Sequence, residues 1–295
     1  MRVRVISGGT GSQARRRRGG ENVGMVPLTH SERSALRDVQ GTFETLDRWR
    51  ARSRRLEVPQ AESDAALDDA IWPQFPPSDL ARQSLQAATQ HLNLARTAIE
   101  AADIYPTAHY TVFRGGLVGA SQAVWLLGPD ERMERQQRGL RVVDEWYKRA
   151  AQNQREYLSL ASDEASRKSF QEASDFLDMR RKEARTRWAA TGSLTEGEEL
   201  NLTSVIEWSA GEVFQMSQSR IVKALWQELS SDAHVLGWSV VGRSVLDQRD
   251  RDDPKLAILR AGGNLEHIRD VFMLVHRILK RGWSLYDQRC EATPH

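Results

Sequence analysis

SDLARQSLQAATQHLNLARTAIEAA, residues 78–102, is the stretch on which the reading of this chain turns. Ala81, Leu85, Ala88, Leu92, Ala95, Ile99 and Ala102 recur at alternating spacings of four and three. Residues spaced in this way share one face of an α-helix, so the period predicts a helix with a single buried stripe. Small and larger side chains alternate along that stripe, which allows a neighbouring helix to approach closely. Ser78 stands where a helix N-cap is expected.

The same period extends outward in both directions. Toward the N-terminus, an acidic, proline-rich connection runs from Glu57 to Pro77. Before it, Thr29-x-x-Glu32 reads as a capping box opening a helix whose stripe is Leu36, Val39, Phe43, Leu46 and Trp49. Toward the C-terminus, Pro106 starts a helix that ends at Gly128-Pro129 and carries no charge between Gly115 and Leu127. Gly115, Gly116 and Gly119 lie on it, each costing about 1 kcal/mol of helix propensity. Such a helix is expected at the centre, with other backbones close against it. Helices are then expected over Asp130 to about Leu160, over Asp163 to Ala190, around Leu202 to Phe214, from Ser219 to about Val245, and briefly up to Ala261. Asn264 caps a last helix with Ile268, Phe272, Val275 and Leu279 facing inward. No strand is expected after the N-terminal tail. The fold class is therefore all-α, one bundle-like domain of about seven or eight helices over roughly residues 26–290. Residues 1–25 are expected to be a disordered, arginine-rich tail, or an upstream extension preceding Met25.

The net charge of +2 conceals an uneven distribution. Residues 1–55 carry +8 and residues 56–80 carry −6, while the remainder balances. Arg15, Arg16, Arg17 and Arg18 form a self-repelling block that suits loose contact with nucleic-acid phosphates better than packing. Only six of the 42 basic residues are lysines. That arginine bias runs through the whole chain, so it reads as a coding preference before it reads as a phosphate-binding patch. The single cysteine, Cys290, excludes an internal disulfide. Met1 to Gly20 shows no secretory pattern, and no apolar run approaches the roughly 20 residues of a membrane span. A cytoplasmic protein without a membrane partner is expected.

Motifs that carry chemistry are scarce. One cysteine and scattered histidines offer no zinc site, and there is no phosphate loop, nucleophile elbow or H-E-x-x-H. No metal and no cofactor are expected. Glu131–Arg135, Glu134–Arg138 and Glu145–Arg149 have the i,i+4 spacing of paired charges on an exposed face, although Arg135 and Arg138 also offer a weak anion site. Trp49, Trp125, Trp146, Trp188 and Trp226 follow helical periods and read as core. Helical HEPN-type ribonucleases carry Arg-x4–6-His, and Arg260–His267, Arg269–His276 and Arg289–His295 match that spacing. A chain of this composition produces roughly two or three such matches by chance. Only Arg269 and His276 fall on one uninterrupted helix.

Two further segments, Arg114-Gly-Gly-Leu-Val118 through Trp125-Leu-Leu-Gly-Pro129 and Ser230-x-x-x-His234, resemble parts of a poorly characterised group of helical proteins from actinobacteria and their phages. Glu134-x-x-x-Arg138 and Trp226 extend those two stretches. The resemblance implies a helical fold and no particular activity; this chain departs from the group with Val118 in place of Glu and Val235 in place of Gly. Arg114, Ser230 and His234 also stand beside the least charged segments, and Ser230 and His234 share a helix face. Because arginine keeps its charge when buried, Arg114 is expected within reach of Ser230 or His234 at a small interior pocket. The functional expectation is a non-catalytic binding protein with a protein partner. An HEPN-like RNA-cleaving enzyme using Arg269 and His276, and nucleic-acid binding through the tail, are the alternatives.

Overall fold

The computed structural model describes residues 2–7, 28–192, 199–249, 256–261 and 264–292. In chain order the elements are β1 (Arg2–Ser7), α1 (His30–Gln40), α2 (Phe43–Arg52), α3 (Asp64–Asp69), α4 (Pro77–Glu100), α5 (Ala108–Leu127), α6 (Arg132–Leu160) and α7 (Glu164–Ala190). There follow α8 (Leu202–Val213), α9 (Met216–Ala233), α10 (Trp238–Arg243), β2 (Val245–Arg249), β3 (Leu256–Ala261) and α11 (Leu265–Cys290). The architecture is all-α, with one small sheet added to it.

The stripe of α4 is the spine of the core. Ala81, Leu85, Ala88 and Leu92 are fully buried, and Ala95 and Ile99 nearly so. They belong to one connected apolar cluster that extends from Val39 to Tyr286. Burying a leucine of this kind contributes roughly 1.5–3 kcal/mol. Along α4 runs α5, free of charge from Gly115 to Leu127, and its glycines set the spacing between the two helices. A Cβ placed on Gly119 would lie 2.6 Å from the Ser84 carbonyl oxygen, and one on Gly116 would lie 3.1 Å from Val275 Cγ1 of α11. Helices α8 and α9 cover α5 on further sides, so an apolar helix with no solvated face is enclosed by neighbours.

Helix ends follow local chemistry. The capping box at Thr29 and Glu32 is present, and Asp163 and Asn264 cap α7 and α11. Ser78 is not the cap of α4. The helix starts at Pro77, which needs no N–H partner there, and Ser78 instead donates its backbone N–H and its hydroxyl to the Asp69 carboxylate, at 2.9 and 2.6 Å. The first expected helix is two. Thr42 donates its hydroxyl to the Val39 carbonyl at 2.7 Å, and the chain is interrupted at Gly41-Thr42 before α2 begins.

The expectation of helix from Ser219 to Val245 fails at residues 234–237, where Val235 and Gly237 have positive φ. The expected short helix up to Ala261 is a strand. β3 pairs in parallel with β1, Arg2 opposite Leu256 through Ser7 opposite Ala261, and antiparallel with β2. β3 lies between β1 and β2, and two neighbouring strands supply backbone partners along both of its edges. Six residues assigned to the disordered tail are thus ordered as β1, and strands exist where none was expected after it. The rest of the tail, Arg15–Arg18 included, lies outside the described residues.

Because the Ser84 carbonyl stands where a side chain on residue 119 would begin, Gly119→Ala is expected to destabilise the fold by about 1–3 kcal/mol despite alanine's better helix propensity. Urea unfolding of the variant measures this; equal or greater stability would mean that α4 and α5 are not held at this distance.

Candidate functional site

Three arginines pursued from the sequence behave differently once placed. Arg135 is buried, and its Nε and Nη2 donate to the Asp68 carboxylate at 2.6 and 3.2 Å. Its Nη1 donates to the carbonyls of Pro129 and Asp130. Arg138 donates to the Trp125 carbonyl and to Glu134, with its guanidinium over the Trp208 and Trp125 rings. Neither offers the weak anion site, and neither lies on an exposed face. Arg135 thus ties α3, through Asp68, to the corner between α5 and α6, where carbonyls past the helix end require partners.

Arg114 has a different setting. Its Nε donates to Ser230 Oγ of α9 at 3.3 Å, and Ser230 passes its own proton to the Trp226 carbonyl at 2.8 Å. The guanidinium lies over the Trp226 ring, 4.7 Å from its centroid. The expected contact between Arg114 and Ser230 is therefore present. No carboxylate pairs with Arg114 among the described residues, and its terminal nitrogens have no acceptor there. His234 is not part of this contact. It is the residue that closes α9, exposed, with only its backbone N–H bonded to the Ser230 carbonyl. It leads into a turn that exposes Val235, Leu236, Trp238 and Val241.

Arg114 sits at a groove of about 890 Å³ bounded by α4, α5, α6 and the segment at Leu200 and Leu202. That volume lies in the range of small-molecule sites. Val118, Val142, Trp146 and the two leucines supply the apolar wall. Trp146, expected in the core, is 45 % exposed and packs edge-on against Tyr147 and tilted against Phe75. The other four tryptophans of that set are buried. His91 reaches the groove from α4 across Gly115; a Cβ at Gly115 would lie 2.3 Å from His91 Nε2. Burial lowers the His91 pKa, so the ring is neutral at neutral pH. The sequence reading missed His91, whose only signal was a helical glycine with no packing explanation of its own. Within the groove Arg149 is bonded to Glu145 at 2.6 Å, so Arg114 is the uncompensated charge.

Arg269 and His276 line a second groove of about 1080 Å³ bordered by α1, α9 and α11. Arg269 is tied to Asp38 at 2.8 Å and to Asp270 at 2.7 Å. His276 is buried against Trp49, ring centroids 5.2 Å apart, and its Nε2 has no hydrogen-bond partner among the described residues. Burial pushes its pKa down to about 4, aided by the charges of Lys280 and Arg277. Of the other two Arg–His spacings, His267 is bonded to the Tyr110 hydroxyl, and Arg289 is buried against the carbonyls of Leu127 and Pro129. Among the described residues no three His, Cys, Asp or Glu side chains cluster as metal ligands, and no helix is long and apolar enough to cross a membrane. Comparison of the chain with protein families, with curated proteins and with solved structures finds no match.

The state of His276 sets a pH dependence. Its folded pKa lies below the unfolded value near 6.5, so the unfolded chain takes up the proton first and stability is lost as pH falls from about 6.5 toward 4. Between pH 7 and pH 5 this one group is expected to remove about 2 kcal/mol. Urea unfolding at both pH values should show a correspondingly smaller loss in His276→Gln. Equal losses in the two proteins would show that the ring takes its proton without unfolding.

Proposed function

We propose that this protein acts by binding, with the α4–α5–α6 groove as its ligand site. The observation that carries this reading is Arg114: a partly buried guanidinium, fixed by Ser230 and Trp226, that lines a largely apolar groove and has no carboxylate partner among the described residues, the groove's Glu145 being paired with Arg149. Buried or half-buried charge is normally paired, as the other interior arginines are, and a charge left unpaired beside a groove is suited to a partner that arrives from solution.

The RNA-cleaving alternative draws less support. A general base works best with a pKa near the operating pH, and His276 is held neutral near 4 while Arg269 is occupied by two acids. Binding of nucleic acid through Arg15–Arg18 concerns residues outside those described. A protein partner has one feature in its favour, the exposed turn at Leu236 and Trp238.

The neutral apolar dye N-phenyl-1-naphthylamine tests the groove without presupposing a head group. It is expected to gain fluorescence with the protein, and to lose most of that gain in Ala87→Trp, which places an indole in the groove from an exposed position. Fluorescence that survives in A87W and disappears in Trp238→Ser would move binding to the exposed turn and overturn the assignment.

A further inference from the structure

We propose that the occupant of this groove is a monocarboxylate amphiphile, its carboxylate held end-on by Arg114 beside His91 and its apolar body lying along Val118, Val142, Trp146 and Leu202. The inference rests on the groove being a ligand site and adds the chemistry of what fills it.

Charge sets the first limit. The groove is lined by Arg114, Arg149 and Glu145 as its ionised residues, and Arg149 and Glu145 cancel one another through their ion pair. His91 is neutral and contributes an N–H rather than a second positive charge. One positive charge is left, which matches a monoanion. A phosphate monoester carries between one and two negative charges near neutral pH and would leave part of its charge uncompensated against an apolar wall.

Geometry sets the second. Nε of Arg114 is already used by Ser230 Oγ, and one guanidinium face by the Trp226 ring. What remains is the end-on edge formed by the two terminal nitrogens. Two parallel N–H donors in one plane fit the two oxygens of a carboxylate. Ser230 cannot turn away to compete for the ligand, because its own hydroxyl proton is held by the Trp226 carbonyl at 2.8 Å. Gln122, the amide lining the groove on α5, is likewise engaged, donating to Ser84 Oγ at 2.9 Å. Polar recognition is thereby concentrated at one end, at Arg114 and His91.

The remaining wall asks for hydrocarbon. Val118 stands one turn beyond Arg114 on α5, and Val142 and Trp146 face it from α6 at helical spacing. Gly115 and Gly119 line the groove where α4 lies directly against α5, His91 and the Ser84 carbonyl standing where their side chains would be. Trp146 is the exposed side of this wall and would gain cover from an acyl chain or an aromatic ring laid along it.

Decanoate, decanol and decyl phosphate share one tail and differ in head group, and competition of each against N-phenyl-1-naphthylamine on the unaltered protein needs no variant. Decanoate is expected to bind at least about tenfold more tightly than decanol, the scale of a charge-assisted hydrogen-bonded pair, and more tightly than decyl phosphate. Arg114→Gln is expected to abolish the preference, so that the variant binds decanoate no more tightly than it binds decanol; Arg114→Lys, which keeps the charge and loses the planar fork, should fall between. Decanol equal to decanoate, decyl phosphate tighter than decanoate, or an R114Q protein that keeps its preference for decanoate would each overturn the proposal. A dye that binds the groove but is not displaced by decanoate removes this ligand class and leaves the groove as a site. A dye that never enters the groove removes the site itself.

Discussion

The contact between the backbones of α4 and α5 at Gly119 constrains everything around it. With the Ser84 carbonyl 2.6 Å from where a Cβ would start, the two helices are nearer than any side chain on residue 119 permits. From Gly115 to Leu127 this helix carries no charge and gives little surface to water, and α8, α9 and α11 close over most of it. The same missing side chains that let α4 approach bring His91 and the Ser84 backbone against Gly115 and Gly119 at the edge of the groove that α6 also lines. Close packing on one side of the glycine face and a groove at its margin are two results of one geometric choice.

Arginine does two kinds of work in this protein. Arg135 and Arg289 come from α6 and α11 and converge on the corner after α5, where they take up the carbonyls of Leu127, Pro129 and Asp130 and the carboxylates of Asp64 and Asp68. Arg243 does the same for Glu228 and Asp232 while covering the Tyr110 ring. The acidic segment before α4, which looked like a linker, supplies the counterions for two of these. Buried pairs of this kind add little net stability over an apolar replacement, yet removal of one partner strands the other at a cost of roughly 3–5 kcal/mol. They therefore fix how α3, α6 and α11 meet. Arg114 differs from this set in having a hydroxyl and a ring as partners instead of an acid, and the proposed ligand site rests on that difference.

Most helices were legible because their burial is one-sided. The 4-3 stripe of α4, the capping box at Thr29 and the cap at Asn264 are local signals, and the structure follows them within a residue or two. The contact of Arg114 with Ser230 was also within reach, since two charge-poor helices with few polar residues have few ways to satisfy a guanidinium. The i,i+4 pairs on α6 misled for Arg135 and Arg138, because spacing shows that two charges can meet but not whether water reaches them. Trp146 misled in the opposite direction: its period placed it on a packed face, but that face borders the groove and leaves the ring partly exposed.

What the sequence by itself determined is the set of one-dimensional properties: which segments are helical, which faces are apolar, where glycine lets backbones approach, and which segments are poor in charge. These depend on residues within a turn or two of one another. Tertiary structure alone decided the rest. β1 and β3 are about 250 residues apart in sequence, and neither has enough local hydrogen bonding to announce a strand without the other. His91 entered the groove only when α4 was set against Gly115. That Arg114 has no carboxylate partner among the described residues, while Glu145 is paired with Arg149 and Asp232 with Arg243, is likewise a result of how the helices meet. Pairing across such distances is settled by which surfaces remain once the apolar stripes have been buried, and no short window of the chain contains that information.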